Sequence, residues 1–180
     1  MSAENKPEGK MDMQAMAEVC QKLATPGDPH KLLARMAGSW NTRTKCWMDP
    51  SQPPMESTGT SQQRMILGGR FLQQDFTGDM MGSPFSGIGN AGYDNHTRKY
   101  VSTWMDSMGT GIHFFEGTAG ADGRTITQTS RYDHPVLGPI QWRTVTRVVD
   151  DDTFVFEMYS TPKGGKEDKV MEITYARQRS

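Results

Sequence analysis

From Gly38 onward, apolar and polar residues alternate in short runs over most of the chain. In the first run Trp40, Thr42, Thr44 and Cys46 fall opposite Asn41, Arg43 and Lys45. In the last, Met171, Ile173, Tyr175 and Arg177 oppose Val170, Glu172, Thr174 and Gln178. A period of two residues is that of a strand with one buried face. About ten such runs follow one another, at roughly 39–48, 57–67, 70–77, 84–93, 98–106, 110–118, 124–132, 140–149, 153–160 and 168–178. Turn residues separate them, including Asp94-Asn95, Asp122-Gly123, Leu137-Gly138-Pro139, Asp150-Asp151-Asp152 and Lys163-Gly164-Gly165. With no helical stretch between them, successive runs pair as antiparallel neighbours. An open sheet this wide leaves two edges prone to pairing with other chains, so closure is expected. The predicted fold class is mainly β: a single antiparallel up-and-down β-barrel of about ten strands, with a two-sheet sandwich as the second arrangement.

The first forty residues follow a different pattern. Met13, Met16, Val19, Cys20 and Leu23 recur at helical spacing. After the break at Pro26-Gly27, Asp28 supplies an N-cap and Pro29 a first-turn proline ahead of Leu32, Leu33 and Met36, with Gly38 as the stop. Two short N-terminal helices therefore precede the barrel. Residues 1–37 are read as a helical arm and lid, and 38–180 as the barrel domain.

Composition narrows the function. A chain of 180 residues is about one domain. Its 20 Lys and Arg against 21 Asp and Glu, a net charge of -1, supply no basic field for nucleic acid. No apolar run reaches the roughly 18 residues of a membrane span, and Met1–Lys10 carries no secretory leader, so a soluble, cytoplasmic protein is expected without membrane insertion. Cys20 and Cys46 are then expected as free thiols.

The predicted inner faces carry Thr and one Arg beside large apolar groups, which suits a cavity with polar handles better than a close-packed core. By alternation and aromatic character, the candidate lining is Trp40, Phe85, Trp104, Trp142, Phe156, Tyr175 and Arg177. The 14 Met suit an adaptable apolar pocket. Met80-Met81-Gly82-Ser83-Pro84 reads as a flap over the mouth.

Gly38-Ser39-Trp40, opening the first strand after a short helix, resembles the G-x-W start of the calycin superfamily, the lipocalins and fatty-acid-binding proteins. The resemblance implies a Trp at the barrel floor covered by a basic residue of the final strand, and Arg177 stands on the face that this requires. A longer resemblance spans about 30–178. Met65-Ile66-Leu67-Gly68-Gly69-Arg70-Phe71-Leu72-Gln73-Gln74, Gly92-Tyr93-Asp94-Asn95, Tyr100-Val101-Ser102-Thr103-Trp104-Met105-Asp106 and Met171-Glu172-Ile173-Thr174-Tyr175 are similar to the bacterial domain-of-unknown-function family fifteen seventy-nine. This implies a calycin-like barrel and supplies no catalytic residues.

Other motifs weigh against chemistry. Gly87-Ile88-Gly89-Asn90-Ala91-Gly92 fits G-x-G-x-x-G, but a turn and strand follow where a dinucleotide site needs a helix. Asp150-Asp151-Asp152 lacks the spaced ligands of a calcium loop and reads as a hairpin turn. Of four histidines only His113 lies in a strand, where a lumen-facing imidazole would suit haem iron. Asp75, Asp106 and Glu116 are candidate lumen carboxylates for acid–base work. No nucleophile motif is present, and no metal or cofactor is expected. The expected function is non-catalytic binding of a small hydrophobic ligand. The alternatives are a barrel enzyme using haem at His113 or a lumen carboxylate, and an interaction protein with a filled barrel and a possible homo-oligomer through its helices.

Overall fold

The structure, a computed structural model, describes residues 12–80 and 82–179. Alternation becomes a closed barrel: ten strands, β1 (Gly38–Cys46), β2 (Met55–Ile66), β3 (Phe71–Met80), β4 (Ser83–Asp94), β5 (Lys99–Asp106), β6 (His113–Ala119), β7 (Thr125–His134), β8 (Gly138–Val148), β9 (Thr153–Pro162) and β10 (Asp168–Arg177). Each strand pairs antiparallel with its sequence neighbours, and β1 pairs with β10 to close the ring. All ten expected strands are present, and closure excludes the sandwich. The β1–β10 register sets Trp40 opposite Arg177 and Thr42 opposite Tyr175. Every inner face is therefore presented to one lumen.

The two ends of the barrel differ. At one end lie both chain ends of the sheet and a short helix, α2 (Asp28–Ala34), which buries Leu32 and Leu33 with Met36 just beyond it. These pack with Trp40, Leu72, Tyr100, Ile126, Val148 and Phe154, a continuous apolar floor. The N-cap of α2 is Gly27, not Asp28: His30 Nδ1 accepts from the Gly27 amide at 3.0 Å, while Asp28 sits in the first turn and pairs with Lys31 at 2.8 Å. Acidic charge beside the helix N-terminus is favourable there.

The first helix, α1 (Met13–Ala24), is capped by Asp12 and buries no residue. Its apolar face is exposed, from Met13 to Leu23, because only its last turn touches the barrel: Arg70 Nε donates to the Ala24 carbonyl and Asn95 Nδ2 to those of Leu23 and Thr25. No helix among the described residues is long and apolar enough to cross a membrane.

The opposite end is the mouth, formed by the connections after β1, β3, β5, β7 and β9. The segment expected as a flap, 80–84, lies there. Met80 and Ser83 pair across a two-residue turn with Gly82 at φ 80°, and the hairpin simply extends β3 and β4. Met81 lies outside the described residues.

Candidate functional site

Ten strands of mixed large and small residues leave the lumen unfilled. Its cavity holds about 500 Å³, within the range of small-molecule sites. A lumen of this volume is unlike the filled barrel of the interaction-protein alternative.

Aromatic rings form two of its walls. Phe76 meets Phe85 at 5.9 Å and Trp104 at 6.5 Å between ring centres, both edge-on. The Trp104 ring lies flat over Gly87 and Gly89, where a Cβ on Gly87 would collide with its six-membered ring. The G-x-G-x-x-G run is thus a seat for an indole, inside a strand. Beside Trp104, whose register partner on β6 is His113, Trp142 stacks on Tyr132 at 4.9 Å and meets the edge of His113 at 5.0 Å. Phe156, Met158 and Met171 complete the apolar lining.

A third wall is polar and lies deeper. Gln74 Nε2 donates to Ser61 Oγ at 3.1 Å and to Tyr175 Oη at 3.2 Å, and Gln63 Nε2 donates to Ser61 Oγ at 3.3 Å. Tyr175 is buried against Phe154, stacked at 4.0 Å, and burial pushes its phenol up to about 12. It is neutral at any physiological pH. Ser102 Oγ donates to Gln128 Oε1 at 3.1 Å on the far side.

Of the expected lining, Phe85, Trp104, Trp142, Phe156 and Tyr175 face the cavity. Trp40 and Arg177 do not. The Trp40 side chain is 1% exposed beneath the lumen, its Nε1 donating to the Met36 carbonyl at 2.9 Å. The Arg177 guanidinium covers the outer face of that indole. Its Nε donates to Asp151 O at 2.7 Å, Nη1 to Ala37 O at 3.0 Å and Nη2 to Arg35 O at 3.1 Å.

The candidate carboxylates separate. Asp75 pairs with Arg64 at 3.2 Å and Glu116 with Lys99 at 2.8 Å, both on the outer surface. Their strands turn Gln74 and Phe115 inward instead. Asp106 lines the mouth but is engaged, accepting from Trp104 Nε1 at 2.8 Å and from the Met108 amide at 2.9 Å. Asp79, unforeseen, is a second acid at the rim, accepting from the Gly82 amide at 2.7 Å. No cluster of three metal-ligating side chains occurs among the described residues. Asp150-Asp151-Asp152 is a hairpin turn, and it also clasps the floor: Asp151 pairs with Arg35 at 3.0 Å and Asp152 with Arg179 at 3.4 Å.

Gln63, Ser61 and Gln74 escape a search for aromatic or ionisable groups. Their signal is positional, since Gln74 shares the inner face of β3 with Leu72 and Phe76.

The model of a family described as protein of unknown function (DUF1579) matches residues 25–177. The chain belongs to the DUF1579 family. The match takes in α2 and the whole barrel of this DUF1579 member, floor and lumen together. No curated protein shows significant similarity to it. Among solved structures it is similar to Rv2717c from M. tuberculosis, with 16% identity and a TM-score of 0.61 over 86% of this chain and 100% of that one. The S-type phycobiliprotein lyase CPES from Guillardia theta is similar at 12% identity and a TM-score of 0.59, over 83% of this chain and 92% of that one. At these identities the DUF1579 member shares with both a fold.

Proposed function

We propose that this protein binds a small, mostly apolar molecule inside the barrel and does not transform it. The observation that carries the reading is a lumen of about 500 Å³ walled by Phe85, Trp104, Trp142 and Phe156, with a deep polar wall of neutral side chains. Apolar burial supplies the affinity, at about 0.8 kcal/mol per methylene removed from water. Two of the three carboxylates suited to acid–base work face outward in ion pairs, and the third is bonded to its own strand and loop. These partners favour binding over proton transfer.

Native mass spectrometry of gently purified protein, compared with its denatured mass, is expected to reveal a bound molecule. The neutral dye N-phenyl-1-naphthylamine is expected to bind saturably, with energy transfer from Trp104 and Trp142. A homologous series of alcohols should displace it, affinity rising about fourfold per methylene until the cavity fills. Folded protein that shows neither a mass excess nor saturable dye binding would overturn the reading.

One observation supports a second reading. His113 faces the lumen with its ring held between Tyr132 at 5.3 Å and Trp142 at 5.0 Å, where a lone imidazole would suit haem iron. On that reading, added haem gives a sharpened visible spectrum with wild type and not with His113→Ala. Identical spectra for the two would remove it.

A further inference from the structure

We infer that the lumen selects an uncharged head group, a hydroxyl or a primary amide on an apolar body, and rejects carboxylates. This inference rests on the lumen-binding reading and adds the chemical class of the ligand.

The first argument is the placement of charge. Among the described residues no Lys or Arg lines the cavity. Alternation in β10 puts Arg177 on the lumen side, yet its three donor groups are committed to the carbonyls of Asp151, Ala37 and Arg35 and its face to Trp40. Arg177 is therefore directed into the floor. The lining acids, Asp79 and Asp106, stand at the mouth. A ligand carboxylate would pass two like charges and then lose its hydration with no Lys or Arg inside to pair with, a combination that disfavours the ionised form.

The second argument is the surplus of neutral hydrogen-bonding capacity on the deep wall. Gln74 Nε2 is shared between Ser61 and Tyr175, and Gln63 Nε2 also turns to Ser61. Among the described residues this leaves the Tyr175 and Ser61 hydroxyl protons, the second amide proton of Gln63 and the carbonyl oxygens of both glutamines without protein partners. Thr42 Oγ1, across the β1–β10 pair from Tyr175, is buried with none at all. A wall with both spare donors and spare acceptors matches a group that both donates and accepts. Alcohols and primary amides do so without charge. Tyr175 does not ionise to change that character in the physiological range.

The test displaces N-phenyl-1-naphthylamine from the full-length protein at pH 8 with 1-decanol, decanamide, decylammonium and decanoate. Decanol and decanamide are expected to bind about tenfold or more tightly than decanoate, and decylammonium, favoured by the rim acids, between them. Gln74→Leu, checked for folding by near-ultraviolet circular dichroism, is expected to weaken decanol about tenfold relative to the dye, whose own affinity is measured for the variant. Decanoate binding as tightly as decanol would overturn the selectivity while leaving lumen binding intact. An unchanged decanol affinity in folded Gln74→Leu would overturn the role of the wall. If folded wild type shows neither a mass excess nor saturable dye binding, the lumen-binding reading falls and this inference with it.

Discussion

The guanidinium of Arg177 lies 4.2 Å from the centre of the Trp40 ring, joining the last strand to the first at the floor of the barrel. Gly38 makes room for it: a Cβ there would overlap Arg177 Nη1, and the residue adopts φ 138°, which side chains disfavour. The Gly-x-Trp run is thus half of a clasp whose other half lies 137 positions on. Asp151, Ala37 and Arg35 accept the remaining donors, so one side chain ties α2, β1 and the β8–β9 turn together.

Arg177→Ala should therefore destabilise the fold by about 3 kcal/mol in urea unfolding, from a stacked cation and several charge-assisted hydrogen bonds lost together. Arg177→Lys restores charge without the planar fork and should recover less than half. Neither variant should change the affinity for N-phenyl-1-naphthylamine when folded, because the guanidinium lies outside the lumen. A loss of dye binding without a loss of stability would contradict the floor assignment.

Gly87→Ala tests the seat of Trp104. The added methyl has no space beneath the indole, and the ring must swing toward the cavity. We expect a stability loss of about 1–3 kcal/mol from overpacking, a shift in tryptophan emission, and weaker dye binding. Unaltered emission and affinity would show that the ring is not held on the glycines.

Burial pushes the phenols of Tyr175 and Tyr100 up to about 12, from an ordinary value of 10.0; for Tyr100 the neighbouring Tyr93 adds to the effect. The unfolded chain therefore releases these protons first as pH rises. Their contribution is fully present below about pH 10 and is lost as pH climbs through 12, worth roughly 2–3 kcal/mol for Tyr175 alone. Chemical denaturation from pH 8 to 12 should show a steep alkaline decline, shallower in Tyr175→Phe. An identical slope in the variant would refute the assignment to this residue.

The two cysteines should differ in reactivity. Cys20 is exposed on α1, whereas Cys46, at the end of β1, is half-buried and its thiol is pushed up by burial. The thiolate is the reacting form, so iodoacetamide at neutral pH should label Cys20 rapidly and Cys46 slowly until the protein is unfolded. Peptide mass mapping over time reads this directly. Equal labelling rates would mean that the β1 edge opens readily.

Much of this was legible because a strand's period is local. All ten strands and the inward faces of β1 and β10 follow from side chains at alternate positions, and Trp104, Trp142 and Phe156 reach the cavity for the same reason. Alternation also carried information about the carboxylates: Asp75 sits between Gln74 and Phe76, and Glu116 follows Phe115, so both acids fall on outer faces. Reading them as lumen groups gives chemical type precedence over position. The helix cap failed for a nearer reason. Asp28 and Gly27 are both acceptable caps, and His30 Nδ1 accepting the Gly27 amide decided between them.

By itself, the chain determined how many strands form and which side of each is buried, because both depend on spacing along the backbone. That Trp40 and Arg177 belong to one device came from the resemblance of Gly38-Ser39-Trp40 to the calycin start. Only the closed barrel decided that Arg177 spends its donors beneath the lumen, and that Gln74 and Tyr175, 101 positions apart, meet in the wall. Alternation assigns a side chain to a face, but not the height at which that face meets the opposite wall. Height depends on register around the whole ring and on which carbonyls α2 brings to the floor. That geometry leaves the lumen hollow and its deep wall neutral.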